Sequence, residues 1–296
     1  MMVQPNKRQK NDDSTTLYKD EVLFNSDTLS KIISYLPSVD LLNLAVTCKK
    51  FGISDDEILS VIKKSARIIV QDIATDEQLA ALPHYNGESS LADYHYLQLM
   101  RGPLTFDQLV RNVEYVNSGD KSCVCNTHSH DWRTAFSNNV MKAGKHYAMF
   151  DAKKSSQRDV GVLVGLMRPG QADQNANGIP FHSLFFQHFS PYMGEEEISS
   201  SKVQCCMYYS NSGKCCISNW RDPGDFYGDW EGMERSSPEK ESIGMLFDLD
   251  KGTLSVYRNG RKLGVMKRGL IGPYCWVASM SRGAQVTIKR GTIPPS

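Results

Sequence analysis

Cys123, Cys125, His128 and His130 lie close together, and thiolate and imidazole groups are side chains that bind zinc in proteins. Their i, i+2 spacing suits a strand that presents one face, whereas structural zinc sites usually separate paired cysteines by two or more residues. A second interpretation is a strand with buried cysteines, followed by a polar loop with surface histidines. A third is a Cys–His nucleophile, with Asp131 orienting a histidine. The spacing favours the second interpretation, so neither metal ligands nor catalytic residues are predicted here.

Two further patterns contain possible ligand residues but indicate a functional site less strongly. Cys205-Cys206 and Cys215-Cys216 flank a turn predicted at Asn211–Gly213, and neighbouring residues on a strand point to opposite faces. We therefore expect cross-strand thiols in a hairpin core. Asp173–Gly178 copies the first half of a calcium loop, but Leu184 stands where the bidentate glutamate should be, which favours a polar loop. The sequence predicts no cofactor, and a chain that is not an enzyme.

The segment Trp220–Trp230 has the chemistry of recognition. Trp220, Arg221, Tyr227 and Trp230 lie in a glycine-rich stretch that is predicted to be a loop. Trp, Tyr and Arg are enriched in binding hot spots, because they bury much surface and still offer hydrogen bonds. These four residues are the predicted partner-binding site. The alternative is that one or both tryptophans belong to the core and hold a long loop down.

Length and charge limit the classes of partner. The 296 residues are enough for two domains, and the formal net charge is only +1. This balance and the lack of a concentrated basic run favour neither nucleic acid nor membrane as a partner. The longest apolar run, around Val162–Met167, is far below the roughly 20 residues that cross a bilayer. With a polar first segment and no signal-peptide pattern, we expect a cytoplasmic or nuclear protein whose cysteines are reduced.

The elements that position these residues change in character along the chain. Residues 1–23 lack apolar periodicity and are predicted to be a disordered tail. Residues 24–104 carry apolar residues at helical spacing, with capping boxes at Ser54–Glu57 and Thr75–Gln78. Residues 105–296 contain short runs rich in Val, Tyr, Phe and Cys between glycine turns, and Asn259-Gly260 is a strong hairpin signal. The predicted class is α+β multidomain, with a helical region followed by an antiparallel β-sandwich.

The second region resembles SPRY domains. The segment Gly244–Gly264 reads GMLFDLDKGTLSVYRNGRKLG and is similar to the core hairpins of that family. Ala143–Tyr147 looks like its opening strand, and Val160–Gly165 looks like a later one. Ala148-Met149 departs from the Trp-Glu of the family, and Val256 replaces its usual Phe. The resemblance implies a SPRY-like sandwich over residues 105–296 that binds a protein or peptide through loops at one edge.

The first region is similar to an F-box. Residues 32–36, 40–42 and 46–51 follow the F-box register, with Phe24-Asn25 in place of Leu-Pro and Phe51 in place of Trp. F-boxes dock the adaptor subunit of cullin–RING ubiquitin ligases, and the alternative is that these apolar residues only form a helical core. The residues that the resemblance implies for adaptor docking are Leu29, Ile32, Ile33, Leu36, Leu41, Leu44, Val46 and Phe51.

Together these patterns favour a non-enzymatic interaction adaptor, which could be the substrate receptor of a cullin–RING ligase. A second hypothesis is a free-standing SPRY scaffold whose helical region only supports the sandwich or self-associates. A third, from another class, is a zinc or cysteine enzyme centred on Cys123–His130.

Overall fold

A computed structural model describes residues 31–33, 35–38, 40–41, 43–44, 55–80, 82, 90–110, 113–127, 132–137, 139–155, 160–169, 205–218, 226–235 and 238–292. The chain divides into two compact units, Met1–Arg101 and Gly102–Ser296. The first is helical where it is described, and the second is an antiparallel β-sandwich. The predicted fold class is thereby confirmed, while the predicted disordered tail lies outside the described residues.

The helical unit contains α1 (Asp55–Ile73), α2 (Asp76–Ala80) and α3 (Ser90–Arg101), and residues 31–33, 35, 38, 40–41 and 43–44 are also helical. The predicted box before α2 is present, because Thr75 N–H donates to Gln78 Oε1 at 3.2 Å and Gln78 N–H donates to Thr75 Oγ1 at 3.3 Å. No helix in the described part of the chain is long and apolar enough to span a membrane.

Side chains of α3 hold the first helical residues in place. Tyr94 donates its hydroxyl hydrogen to the carbonyl of Leu36 at 3.0 Å. The backbone N–H of Ser38 donates to Gln98 Oε1 at 2.8 Å, and its hydroxyl lies 2.7 Å from His95 Nδ1. The apolar core of this unit includes Ile33, Leu41, Ile62, Ala66, Val70, Leu82, Leu91, Tyr94, Tyr96 and Leu97.

The sandwich has the following strands in chain order: β1 Gln108–Val110, β2 Glu114–Asn117, β3 Asp120–Asn126, β4 Arg133–Phe136, β5 Lys145–Lys154, β6 Val162–Met167, β7 Cys205–Tyr209, β8 Cys215–Ser218, β9 Phe226–Gly228, β10 Lys240–Asp248, β11 Thr253–Arg258, β12 Arg261–Arg268, β13 Cys275–Met280 and β14 Ala284–Arg290. In the described residues the first sheet has the order β1-β4-β13-β6-β7-β8-β9. The second has the order β12-β11-β10-β5-β14-β3-β2.

The hairpins from β10 to β12 form as the sequence predicts. β10 and β11 pair from Ile243↔Arg258 to Asp248↔Thr253, with a tight turn between them. Asn259 and Gly260 link β11 to β12 with φ values of 48° and 81°, the left-handed conformation that a type I′ turn requires. This part of the second sheet is therefore fixed by local turn chemistry.

The core lies between the two sheets, where apolar residues alternate along the strands. Ile243, Met245 and Phe247 of β10 point inward and are fully buried. Trp276 of β13 packs edge-on against Phe150 of β5, with ring centroids 5.9 Å apart. These contacts join the sheets through strands that are far apart in sequence.

The two middle strands β6 and β7 approach each other closely at Gly165. A Cβ atom at this position would lie 2.7 Å from the Cα of Met207 and would also contact the carbonyl oxygen of Cys206. Only glycine avoids this overlap with the facing backbone. By contrast, a Cβ atom at Gly119 would meet nothing within 4 Å.

Candidate functional site

Part of the predicted binding segment is a strand. Trp220 and Arg221 lie outside the described residues. Tyr227 belongs to β9, whose backbone pairs with β8 from Cys215↔Gly228 to Ile217↔Phe226. A three-residue strand that itself ends in a glycine is too short to show alternation, which explains why the sequence predicts a loop here.

Trp230 holds the chain after β9 to the rest of the sandwich. Its indole N–H donates to the carbonyl of Gly213 at 2.7 Å, and its ring meets Tyr208 edge-on at 6.5 Å. A Cβ atom at Gly232 would overlap the Trp230 ring and lie 2.7 Å from its Cη2 atom, so this glycine leaves room for the indole. The half-buried indole therefore supports the interpretation of a tryptophan that anchors a long connection.

The hairpin of β8 and β9 separates the ends of the predicted segment. Gly213 precedes the start of β8, and Trp230 lies beside it. β8 runs from Cys215 to Ser218, so its last residue lies at the end of the strand away from Gly213. The described backbone thus places Trp230 and Ser218 at opposite ends of β8.

A buried cluster of charges, which the sequence did not indicate, lies at the Trp230 end. Lys154 Nζ donates to Glu241 Oε1 at 2.8 Å, and an Arg258 guanidinium nitrogen donates to Glu241 Oε2, also at 2.8 Å. We name Lys154, Glu241 and Arg258 the ion-pair cluster; their side chains are 3%, 0% and 6% exposed. Burial lowers the pKa of Lys154, while its hydrogen bond to Glu241 opposes that shift.

The ion-pair cluster fastens several connections of the sandwich. Lys154 also donates to Asn211 Oδ1 at 2.7 Å, and Asn211 in turn donates to the carbonyl of Val160 at 2.9 Å. Arg258 donates to the carbonyl of Glu234 at 3.3 Å. The ion-pair cluster therefore joins the ends of β5, β10 and β11 to three other segments, which are the residues before β6, after β7 and after β9. Such a network orders loops, because the charges at its centre, on Lys154, Glu241 and Arg258, are buried.

The structure describes only part of the Cys123–His130 constellation. Cys123 and Cys125 are on β3, and they alternate with Val124, which is buried in the core. Gln285 and Thr287 of β14 donate hydrogen bonds to the Cys123 sulfur at 3.1 and 3.0 Å. Burial, and secondly the charge of Glu114, raises the pKa of Cys125. The cysteines on a strand agree with the second interpretation.

The structure does not describe the remaining residues of the possible zinc and calcium sites. His128, His130 and Asp131 lie outside the described residues, as do Asp173–Gly178 and Leu184 of the calcium-loop pattern. Within the described ranges, no three His, Cys, Asp or Glu side chains lie where they could hold one metal ion.

The hairpin cysteines behave as predicted. Cys206 and Cys215 face the core with their sulfur atoms 3.9 Å apart, whereas Cys205 and Cys216 pack on the other face of the sheet. The hydrogen bond with Cys215 and burial both raise the pKa of Cys206. Burial also raises the pKa of Cys275 to about 12. These thiols are core groups that resist ionisation, which makes them poor nucleophiles.

The F-box-like residues separate into core and surface positions. Ile33 and Leu41 are completely buried in the helical core, and their predicted role in docking stays a prediction. Leu36 and Leu44 are half-buried against the same core, and Leu29, Val46 and Phe51 lie outside the described residues. Ile32 is 38% exposed. The neighbouring Tyr35, which the sequence did not single out, is 84% exposed.

Comparisons with known proteins bear on both units. No curated protein matches the chain significantly. Among solved structures, the chain is similar to the SPRY domain of human HERC1, with 16% identity, a TM-score of 0.43, and coverage of 64% of this chain and 99% of that one. It is also similar to the PSpry domain of TRIM65, with 16% identity, a TM-score of 0.42, and coverage of 62% and 89%. A third likeness is to carbohydrate-binding module CBM66 from Bacillus subtilis, with 8% identity, a TM-score of 0.38, and coverage of 63% and 94%. Residues 23–53 match the F-box domain family, as the sequence predicted for this region.

Proposed function

We propose that this chain is a non-enzymatic adaptor that brings a protein target to a cullin–RING ubiquitin ligase. The F-box match at residues 23–53 carries the proposal. It precedes a second compact unit, Gly102–Ser296, which is an antiparallel sandwich. In this role the helical unit docks the adaptor subunit of the ligase, and the sandwich holds the target.

Exposed side chains beside the buried ones support docking through the helical unit. Ile32 and Tyr35 are 38% and 84% exposed, while Ile33 between them is fully buried. A large apolar or aromatic side chain on the surface loses water when a partner covers it, which favours association. We therefore assign the direct contact with the adaptor subunit to Ile32 and Tyr35, with Ile33 supporting them from the core.

The target site of the sandwich is assigned to Trp220, Arg221, Tyr227 and Trp230. The contacts of Trp230 with Gly213 and Tyr208 make it the anchor of the segment. Trp220 and Arg221 then supply the chemistry of a hot spot, since large rigid groups that also offer hydrogen bonds dominate binding energy.

Docking of the ligase adaptor is tested by co-purification with the purified adaptor subunit. We expect Ile32→Asp combined with Tyr35→Asp to abolish binding, because a carboxylate is costly to bury in an apolar interface. The matched control is Ile68→Asp combined with Ile73→Asp, which adds the same two charges at isoleucines of α1 that are 47% and 42% exposed. Equal binding by the double variant and the control would refute the assignment of the contact to Ile32 and Tyr35. No binding by the unmodified chain would refute the ligase branch and favour a free-standing binder.

Target capture is tested by proximity labelling in cells with the full chain, the Trp220→Ala/Arg221→Ala variant, and a chain that lacks residues 1–101. We expect the first and third to label the same proteins and the second to lose them. Adaptor-dependent ubiquitination of those proteins should require residues 1–101. Retention of all targets by the Trp220→Ala/Arg221→Ala variant would show that the segment is not the target site.

A further inference from the structure

Ile271 is an unusually exposed apolar residue of the sandwich. Its side chain is 67% exposed, against 42% for Val116 on β2. It lies on the connection between β12 and β13, at the end of the sandwich opposite the ion-pair cluster. One exposed isoleucine is ordinary on a protein surface, so its meaning depends on how it is held.

The turn that carries Ile271 is braced on both sides. Leu270 is 1% exposed, and its backbone N–H donates to the carbonyl of Gly252 at 3.0 Å. The Arg168 guanidinium donates to the carbonyl of Ile271 and lies 4.9 Å from the centroid of the Tyr274 ring. The isoleucine is β-branched and stiff on this braced backbone, so little conformational entropy remains to be lost on binding. Such a residue is suited to packing against a partner.

Positive charge surrounds this turn. Lys145 lies opposite Asp248 in the pairing of β5 with β10, and Arg268 lies opposite Thr253 in the pairing of β12 with β11. Lys145, Lys251 and Arg268 are exposed, and together with Ile271 we name them the basic end.

Few described carboxylates offset this charge. Asp250 is exposed, whereas Asp248 is 6% exposed and accepts the backbone N–H of Lys251 at 3.0 Å, so it serves the turn. With Asp248 engaged in this way, the turn from β10 to β11 offers one exposed carboxylate, Asp250, against the three exposed cations.

We propose that the basic end binds an acidic protein segment that carries an apolar side chain. The apolar side chain packs on Ile271, and the carboxylates of the segment face Lys145, Lys251 and Arg268. The charges steer the segment and set its orientation, while the apolar contact slows its release. This inference rests on the proposed role of the sandwich in binding a protein target. It adds to the Trp220–Trp230 segment a second surface that contacts the same target, and it names the chemistry of that target.

Fluorescence anisotropy of the full chain with labelled synthetic peptides tests the proposal. The probe is a short poly-glutamate peptide with one central Phe, and the comparison peptide has Gly in place of that Phe. We expect saturable binding of the Phe peptide, and binding at least about tenfold weaker for the Gly peptide, equivalent to about 1.4 kcal/mol. Binding should weaken as salt is added, because exposed charges are screened.

Variants locate the binding surface. We expect Ile271→Asp to weaken binding of the Phe peptide at least about tenfold, since it removes the apolar contact and adds a repelling charge. Lys251→Glu with Arg268→Glu should also weaken it and reduce its dependence on salt. The matched controls Val116→Asp, on β2, and Lys240→Glu, at the opposite end, should leave it unchanged. Tryptophan fluorescence of every variant confirms that the sandwich is folded.

Four results would overturn the proposal. They are no saturable binding, equal binding of the two peptides, unchanged binding by the Ile271→Asp variant, and equally tight binding of a DNA duplex, which would mark a general anion surface. A fifth result would reassign the occupant. If replacing Glu195, Glu196 and Glu197 by Gln greatly strengthened peptide binding, the basic end would be covered by the chain's own acidic run.

Proximity labelling with the Ile271→Asp variant separates this inference from the proposed function. Labelling and ubiquitination of the same targets by this variant would leave the adaptor function standing and refute the basic end as a surface that contacts the target. Peptide binding at the basic end without adaptor-dependent ubiquitination of any target would support the basic end as a binding surface and refute the adaptor function.

Discussion

Replacing Glu241 by Gln tests whether the ion-pair cluster depends on its buried carboxylate. The change keeps the shape of the side chain and removes the charge that Lys154 and Arg258 both contact at 2.8 Å. Because Glu241 has no exposed side-chain surface, water cannot replace the lost carboxylate. Leaving buried charges without their partner costs about 3–5 kcal/mol. At about 2–4 °C per kcal/mol for a unit of this size, the unfolding midpoint should fall by about 6–20 °C.

Intrinsic fluorescence measures this midpoint in the full chain. The 4 tryptophans are Trp132, Trp220, Trp230 and Trp276, and all of them belong to the sandwich unit. A thermal melt followed at tryptophan emission therefore reports that unit alone. The matched control is Glu234→Gln, which removes the carboxylate of the solvent-exposed pair with Arg261 and should leave the midpoint nearly unchanged.

A triple variant separates uncompensated charge from lost packing. Glu241→Leu with Lys154→Met and Arg258→Met removes all three charges and keeps similar volumes. Replacing a whole buried ion network by apolar residues is often neutral or stabilising, so the triple variant should melt well above Glu241→Gln. The reasoning is refuted if Glu241→Gln melts like the unmodified protein, or if the triple variant is the less stable of the two.

Three further changes have outcomes set by the structure. Burial lowers the pKa of His146 to about 4, so the folded state favours its neutral form. The free energy of unfolding should therefore fall by on the order of 3 kcal/mol as the pH drops from about 6.5 to 4. Melts of His146→Gln over the same pH range should lack this decrease. Gly165→Ala should cost more than about 3 kcal/mol in urea unfolding, because its methyl group overlaps the backbone of β7, whereas Gly119→Ala should change stability by less than about 0.5 kcal/mol. Trp230→Phe removes the donor to the Gly213 carbonyl and should cost about 1–3 kcal/mol by the same assay, and an unchanged midpoint would show that this hydrogen bond does not anchor the segment.

Local chemistry accounts for the parts of the fold that the sequence predicted well. Asn259 and Gly260 adopt the positive φ angles that their residue types allow most easily. The Thr75–Gln78 box forms because both of its hydrogen bonds lie within one turn of chain. In these segments neighbouring residues decide the conformation, so a single sequence is sufficient.

The ion-pair cluster depends on contacts that the sequence does not reveal. Glu241 lies two residues before the inward Ile243, and Arg258 lies two residues after the inward Val256, so the alternation of each strand points both inward. Charged residues near strand ends are normally expected in solvent, and only the pairing of β10 with β5 and β11 brings their charges together. Part of the predicted binding segment is a strand instead of a loop for a related reason, because β9 is formed by its pairing with β8 and is too short to show alternation.

The strand order has a consequence for how the protein is made. β13 pairs with β4 and β6, and β14 pairs with β3 and β5, so the last two strands occupy central positions in both sheets. Until they emerge from the ribosome, the strands that will flank them have unpaired edges, which are sites of aggregation. The helical unit is synthesised first and is held by contacts within its own residues, so it can fold during this interval. A stop codon shortly before residue 275 would thus leave two split sheets instead of a slightly shortened domain.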